Sequence, residues 1–277
     1  MRDIAQVVTG SRAIDGAGVH LVRVLGLPTT KAFDPFLMLD AFDSTDPRDY
    51  IKGFPWHPHR GIETVTYLQK GHIIHSDSLG NSGDIRDGGC QWMTAGSGIM
   101  HQEMPQASER MLGLQLWLNL PASDKMTPPK YNDIRDEDVQ VVTQEGVSVR
   151  VIAGEYEGTK GVMNGDHVKM TMLDIALAPG ASFSMKTPRD ETLFVYLTRG
   201  SGLFGPQQQA LEEKRAVLFG EGDSVSFTAG ENGLDLMLFM ARPLHEPIAW
   251  GGPIVMNTRE ELKKAFDELD EGTFVKV

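Results

Sequence analysis

Hydrophobic positions along this chain fall mostly into short runs with a period of two, cut by glycines and polar turn residues. That pattern predicts β-strands rather than helices. Residues 112–120, LGLQLWLNL, alternate strictly. They place Leu112, Leu114, Leu116, Leu118 and Leu120 on one face of a half-buried strand. Strand-like stretches also cover 20–25, 36–40, 139–151 and 170–177, with turn signals at 44–49, 80–83 and 87–89. One segment has a helical period. Leu262, Ala265, Phe266 and Leu269 follow Thr258 and Glu261, which stand at capping-box spacing. They predict a single amphipathic helix at 258–271, ending near Gly272 and packed back onto β-structure.

The pattern repeats. Glu63 to Gly71 reads ETVTYLQKG and Glu191 to Gly200 reads ETLFVYLTRG, as a duplicated β-barrel would. Between the halves, PASDKMTPP at 121–129 is proline-rich and polar. The expected division is an N-terminal barrel at 1–120, a linker at 121–135 and a C-terminal barrel at 136–277 that includes the helix.

Composition narrows the function classes. The chain has 277 residues, 40% of them hydrophobic, enough for a sizeable core. No apolar run approaches the roughly 20 residues that span a bilayer. A net charge of −12 argues against direct contact with nucleic-acid backbones, and leaves room for a basic protein partner. Cys90 is the sole cysteine, and the N-terminus has no secretory pattern, so a reducing, cytoplasmic setting is expected.

Two stretches carry candidate chemistry. Gly53 to Gly71 reads GFPWHPHRGIETVTYLQKG. On one extended strand His57, His59 and Glu63 face one way, while Trp56, Pro58 and Arg60 face the other. Trp92 to Pro105 reads WMTAGSGIMHQEMP, where His101 and Glu103 repeat the two-residue spacing behind a turn at Gly96 and Gly98. Together the stretches offer three imidazoles and a carboxylate to one divalent ion, with coordination positions left for water or substrate. Parity allows either Glu63 or Glu103 to be that carboxylate. Either could also accept a substrate proton, and Glu63 has an alternative as ion-pair partner of Arg60 or Arg86. Phe54, Trp56 and Met93 are candidate walls of an apolar pocket. In the second half Met185 and Thr187 stand where His57 and His59 would, so no metal is expected there. His167 and His245 are isolated and are read as structural or surface residues.

The stretches FPWHPHRGIETVTYLQKG, QWMTAGSGIMHQEMP, LGLQLWLNLP and PIVMNTREEL resemble the pirin family of the cupin superfamily over nearly the whole chain. The resemblance implies an all-β bicupin, two antiparallel β-barrels of the double-stranded β-helix type with a short C-terminal helix. It implies His57, His59, His101 and Glu103 as ligands of one metal in the N-terminal barrel. Iron(II) is the expected ion, with nickel, manganese, cobalt, copper or zinc able to replace it. It further implies a quercetin 2,3-dioxygenase type of activity, which opens a flavonol ring with dioxygen and releases carbon monoxide. The alternative it carries is a metal-dependent regulatory protein, either a transcription cofactor or a partner of metabolic enzymes.

Overall fold

The apolar runs become antiparallel strands in a computed structural model that describes residues 1–276. The chain divides into two β-units, and the division crosses the sequence order. One unit holds Ser11–Thr30, Phe36–Asp136 and everything from Leu244 onward; the other holds Met1–Gly10, Lys31–Pro35 and Glu137–Pro243. The expected boundaries at 120 and 136 do not set apart Met1–Gly10, Lys31–Pro35 or the residues from Leu244 onward. Strand Ile4–Thr9 hydrogen-bonds to strand Arg215–Phe219, and local periodicity says nothing of so distant a pairing.

The first unit is built from two sheets. Seven strands run in the order Lys130–Ile134, Cys90–Thr94, Ile62–Lys70, Met111–Asn119, Phe36–Ser44, Val19–Leu25 and Ser11–Asp15. Four more run Phe54–His59, Ile99–Pro105, Ile73–Asp77 and Ser82–Ile85. The histidines of both candidate stretches, His57, His59 and His101, lie in the smaller sheet. Thr66 and Gln115 of the larger sheet reach across to Glu103 of the smaller, so the two enclose an interior.

The leucine-rich strand differs from expectation. Met111–Asn119 is buried on both faces rather than one. Its leucines occupy the face turned away from the interior. Gly113, Gln115, Trp117 and Asn119 alternate with them and take the inner face, which Gln115 identifies by its bond to Glu103.

The stretch read as a linker is also structural. Lys130–Ile134 is an edge strand paired with Cys90–Thr94. Lys125 is buried and its ammonium donates to Asn119 Oδ1 at 2.6 Å, Gly61 O at 2.8 Å and Val255 O at 2.9 Å. A nearly isosteric Lys125→Met change would strip three buried acceptors of their donor while relieving a buried charge. The expected net loss is about 2–4 kcal/mol, read by urea unfolding of metal-free protein.

Helix Arg259–Asp270 forms as its capping box predicts: Thr258 Oγ1 accepts from Glu261 N, and Glu261 returns a bond to Thr258 N. Ala265, Leu262 and Leu269 pack against Ile254, Met256 and Phe274 of the same unit.

The second unit has a nine-stranded sheet around a solid apolar interior. Phe183 stacks on Phe227 at 4.9 Å and on Tyr156 at 5.6 Å. Met185 packs against that core, and Thr187 Oγ1 accepts from the buried Arg2 guanidinium at 2.9 Å. No donor set stands at these positions.

Candidate metal centre

Phe54–His59 is the edge strand of its sheet. That placement accounts for two prolines in six residues, because an edge strand can forgo some backbone donors. Its neighbour Ile99–Pro105 pairs with it antiparallel, His101 directly opposite His57 and Ile99 opposite His59. Opposed residues share a face, so His57, His59 and His101 converge.

The continuous strand expected from His57 to Glu63 is broken. Gly61 turns the chain at φ +76° into strand Ile62–Lys70 of the other sheet. A Cβ there would lie 2.0 Å from Val255 O, so this position requires glycine. Parity counted through the turn fails. Glu63 lies three residues from Thr66, on the face opposite the one that reaches Glu103. Its Oε1 accepts from Thr94 Oγ1 at 2.7 Å. Glu63 is therefore corrected from candidate ligand or base to a buried polar residue outside the interior. Arg60 binds Glu268 at 2.7 Å, and Arg86 binds Asp84 at 2.9 Å.

The ligand-type nitrogens of His57, His59 and His101 all lie within 4.8 Å of one another. His57 Nδ1 is 2.9 Å from Pro55 O, and His59 Nδ1 is 2.9 Å from Pro253 O. A carbonyl can only accept, so each Nδ1 carries the hydrogen, and each ring in its neutral form presents a bare Nε2. Those two Nε2 atoms are 3.1 Å apart. Two facing lone pairs repel unless a cation lies between them. His101 Nε2 is buried with no partner in the protein. Burial lowers the His59 pKa to about 3, helped by the neighbouring His57, and holds His101 well below the ordinary imidazole value. Both rings are thus neutral at pH 7, the state that binds metal. The donor set fits a borderline divalent ion.

Glu103, two residues from His101 on the same strand, is buried and lies outside the group whose ligand atoms fall within 4.8 Å of one another. Its Oε1 accepts from Thr66 Oγ1 at 2.8 Å and its Oε2 from Gln115 Nε2 at 2.7 Å. The residues from Leu244 onward complete the surroundings: Pro253 orients His59, and Arg60 stacks 4.2 Å over the Phe274 ring while donating to its carbonyl.

A cavity of about 580 Å³ opens onto His57 and His59. Phe54, Trp117, Trp250 and Met38 give it apolar walls. At one end Arg23 holds Asp40 through two hydrogen bonds, at 2.9 and 2.7 Å, and Asp15 through a third. Of the three expected wall residues, only Phe54 lines it. Trp56 is 50% exposed and Met93 is fully buried in the core. The others were missed because they come from distant strands and from the chain's last third; the glycine-proline turn at 251–253 was the only local signal. Cys90 is buried and its thiol is pushed up by desolvation, so it is not a nucleophile.

Two β-units, one with three converging imidazoles, two of which line a cavity, and one filled with aromatics, define a bicupin with one candidate metal centre among the described residues. Residues 18–118 match the family profile Pirin, and residues 172–275 match the profile Pirin C-terminal cupin domain. The chain belongs to the pirin family. It is 43% identical to a pirin-like protein of Caulobacter vibrioides over 99% of both chains. It is 41% identical to human pirin, over 91% of this chain and 86% of that one. The crystal structure of a quercetin 2,3-dioxygenase from Acinetobacter baumannii superposes with a TM-score of 0.90 at 32% identity, covering 99% of this chain and 98% of that one. Among the described residues no helix is long and apolar enough to cross a membrane.

Proposed function

We propose that the chain is a metal-dependent dioxygenase that opens the ring of a flavonol-like substrate, as a quercetin 2,3-dioxygenase does. One observation carries the reading: three imidazole nitrogens with no protein donor face one another beside an aromatic-walled cavity. His57, His59, His101 and Glu103 are the proposed ligands, and iron(II) in a cytoplasmic setting is the proposed ion. The bound cation supplies Lewis acidity and a one-electron path between the substrate and dioxygen.

The remaining work belongs to side chains. Trp117, Trp250 and Phe54 hold a planar ring system and keep bulk water from it. The Trp117 indole N–H is buried without a partner, a donor suited to a substrate carbonyl. Glu103 takes the hydroxyl proton of the substrate on a carboxylate oxygen, while Thr66 and Gln115 keep the group from rotating.

The test is aerobic turnover of a small flavonol panel by iron-loaded protein, read as carbon monoxide release. Trp117→Phe keeps the wall and removes the donor. It is expected to raise KM about 5–10-fold, the worth of one neutral hydrogen bond, with the metal content unchanged. Absence of turnover with every flavonol would overturn the reading and leave a metal-dependent binding protein.

A further inference from the structure

A fourth imidazole stands behind the cluster. His75 is 0% exposed, on strand Ile73–Asp77, which pairs with the His101 strand on the side away from His57. Its Nδ1 lies 3.5 Å from His101 Nδ1, and its Nε2 lies 3.4 Å from Asp77 Oδ2. Tyr131 stacks on the ring at 4.6 Å with 18° between planes, fixing its orientation. Asp77 is pinned in turn. Its Oδ1 accepts from the Leu79 and Asn81 backbone amides, at 2.9 and 3.0 Å, and its Oδ2 accepts from Asn81 Nδ2 at 2.9 Å.

These contacts set the tautomers in sequence. Both Asp77 oxygens already accept hydrogen bonds, so the carboxylate faces His75 as an acceptor and His75 Nε2 carries its ring hydrogen. His75 Nδ1 is then bare and accepts. His101 Nδ1 must be the donor to it, and His101 Nε2 is left with its lone pair. That is the atom buried without a partner. Both contacts are long for hydrogen bonds, but the ring is sealed from solvent, so water offers no competing partner.

We infer that Asp77 and His75 form a positioning relay that holds His101 in its metal-binding tautomer and raises the basicity of its Nε2. The inference rests on the ligand role proposed above for His101. Its test reads metal affinity and proton position instead of turnover, so a failure with flavonols leaves it standing.

Asp77→Asn is the informative change. The amide oxygen can stay on the Leu79 and Asn81 backbone amides, and an N–H₂ replaces Oδ2, with the Asn81 side-chain amide turned to present its oxygen. That group donates, so His75 must accept at Nε2 and donate at Nδ1, and His101 is left protonated at Nε2, the ligand atom. Nickel(II) affinity, measured by chelator competition, is expected to fall about 10–100-fold, as for other outer partners of metal-bound histidines, with the far-UV circular dichroism unchanged. In iron-loaded protein a tenfold weaker hold on iron(III) relative to iron(II) raises the reduction potential by about 59 mV. His75→Gln keeps an acceptor for His101 Nδ1 and drops the carboxylate. It is expected to bind nickel(II) more tightly than Asp77→Asn while still showing the raised potential. Should either variant fail to fold, long-range proton–nitrogen NMR of metal-free wild type with ¹⁵N-histidine reads the same point, with His101 expected to carry its proton on Nδ1. A proton on His101 Nε2, or an Asp77→Asn protein that binds nickel(II) as tightly as wild type, would overturn the relay.

Discussion

His101→Ala is expected to lose saturable binding of iron(II) and nickel(II), and all flavonol turnover with it, while the fold persists. His101 is the innermost of the three rings, at 0% exposure, and its Nε2 has no other partner to satisfy. The loss should exceed the roughly 10–100-fold that removal of an outer partner costs. The fold should persist because the side chain holds no backbone group in place; strand Ile99–Pro105 is kept by its ladders to Phe54–His59 and Ile73–Asp77. Glu63→Gln is the matching control. Glu63 lies on the far face of its strand and is bonded to Thr94, and a glutamine oxygen can still accept that bond. Full metal content is expected in that variant. Anaerobic metal titration with circular dichroism on both proteins distinguishes a site built on His101 from one built on Glu63.

Acid is expected to destabilise the metal-free protein steeply. His59 titrates near 3 when folded and near 6.5 when unfolded. Between those values the unfolded chain binds a proton that the folded chain does not, so stability rises with pH across that window and is level above it. At pH 4.5 the penalty from His59 alone is about 2–3 kcal/mol, from 1.36 kcal/mol per pH unit. His101 acts in the same direction, its pKa being lowered by burial first and by the neighbouring rings second. Urea midpoints at pH 7.5 and 4.5 measure the effect, and His59→Gln should shrink the difference. In metal-loaded protein the same protons compete with the cation, so metal release is expected on the same side of neutrality.

The sequence made some of this legible and concealed the rest for physical reasons. His57 with His59, and His101 with Glu103, were visible because a two-residue spacing on a strand fixes a shared face. The helix was visible because Thr258 and Glu261 are a local, reciprocal cap. Glu63 was misplaced because a parity count assumes an unbroken strand, and Gly61 breaks it. Strand Met111–Asn119 was expected to be half-buried because its alternating leucines mark one apolar face and say nothing of what covers the other. Lys125 passed for linker because its three acceptors come from residues 61, 119 and 255. His75 and Asp77 share the spacing of the ligand pairs, yet nothing local says which histidine joins the cluster and which stands one strand further away. The exchange of the first ten residues and the return of the residues from Leu244 onward depend on long-range pairing that no local pattern encodes.

Everything functional here depends on three imidazole nitrogens meeting at one point with a carboxylate at hand. Anaerobic iron(II) titration of metal-stripped wild-type protein, followed by X-ray absorption at the iron edge, tests that most directly. The expected result is one ion per chain with a histidine-dominated shell at about 2.0–2.2 Å, the range of metal–imidazole and metal–carboxylate bonds. Iron that fails to saturate, or that binds with a shell free of imidazole scattering, would contradict it.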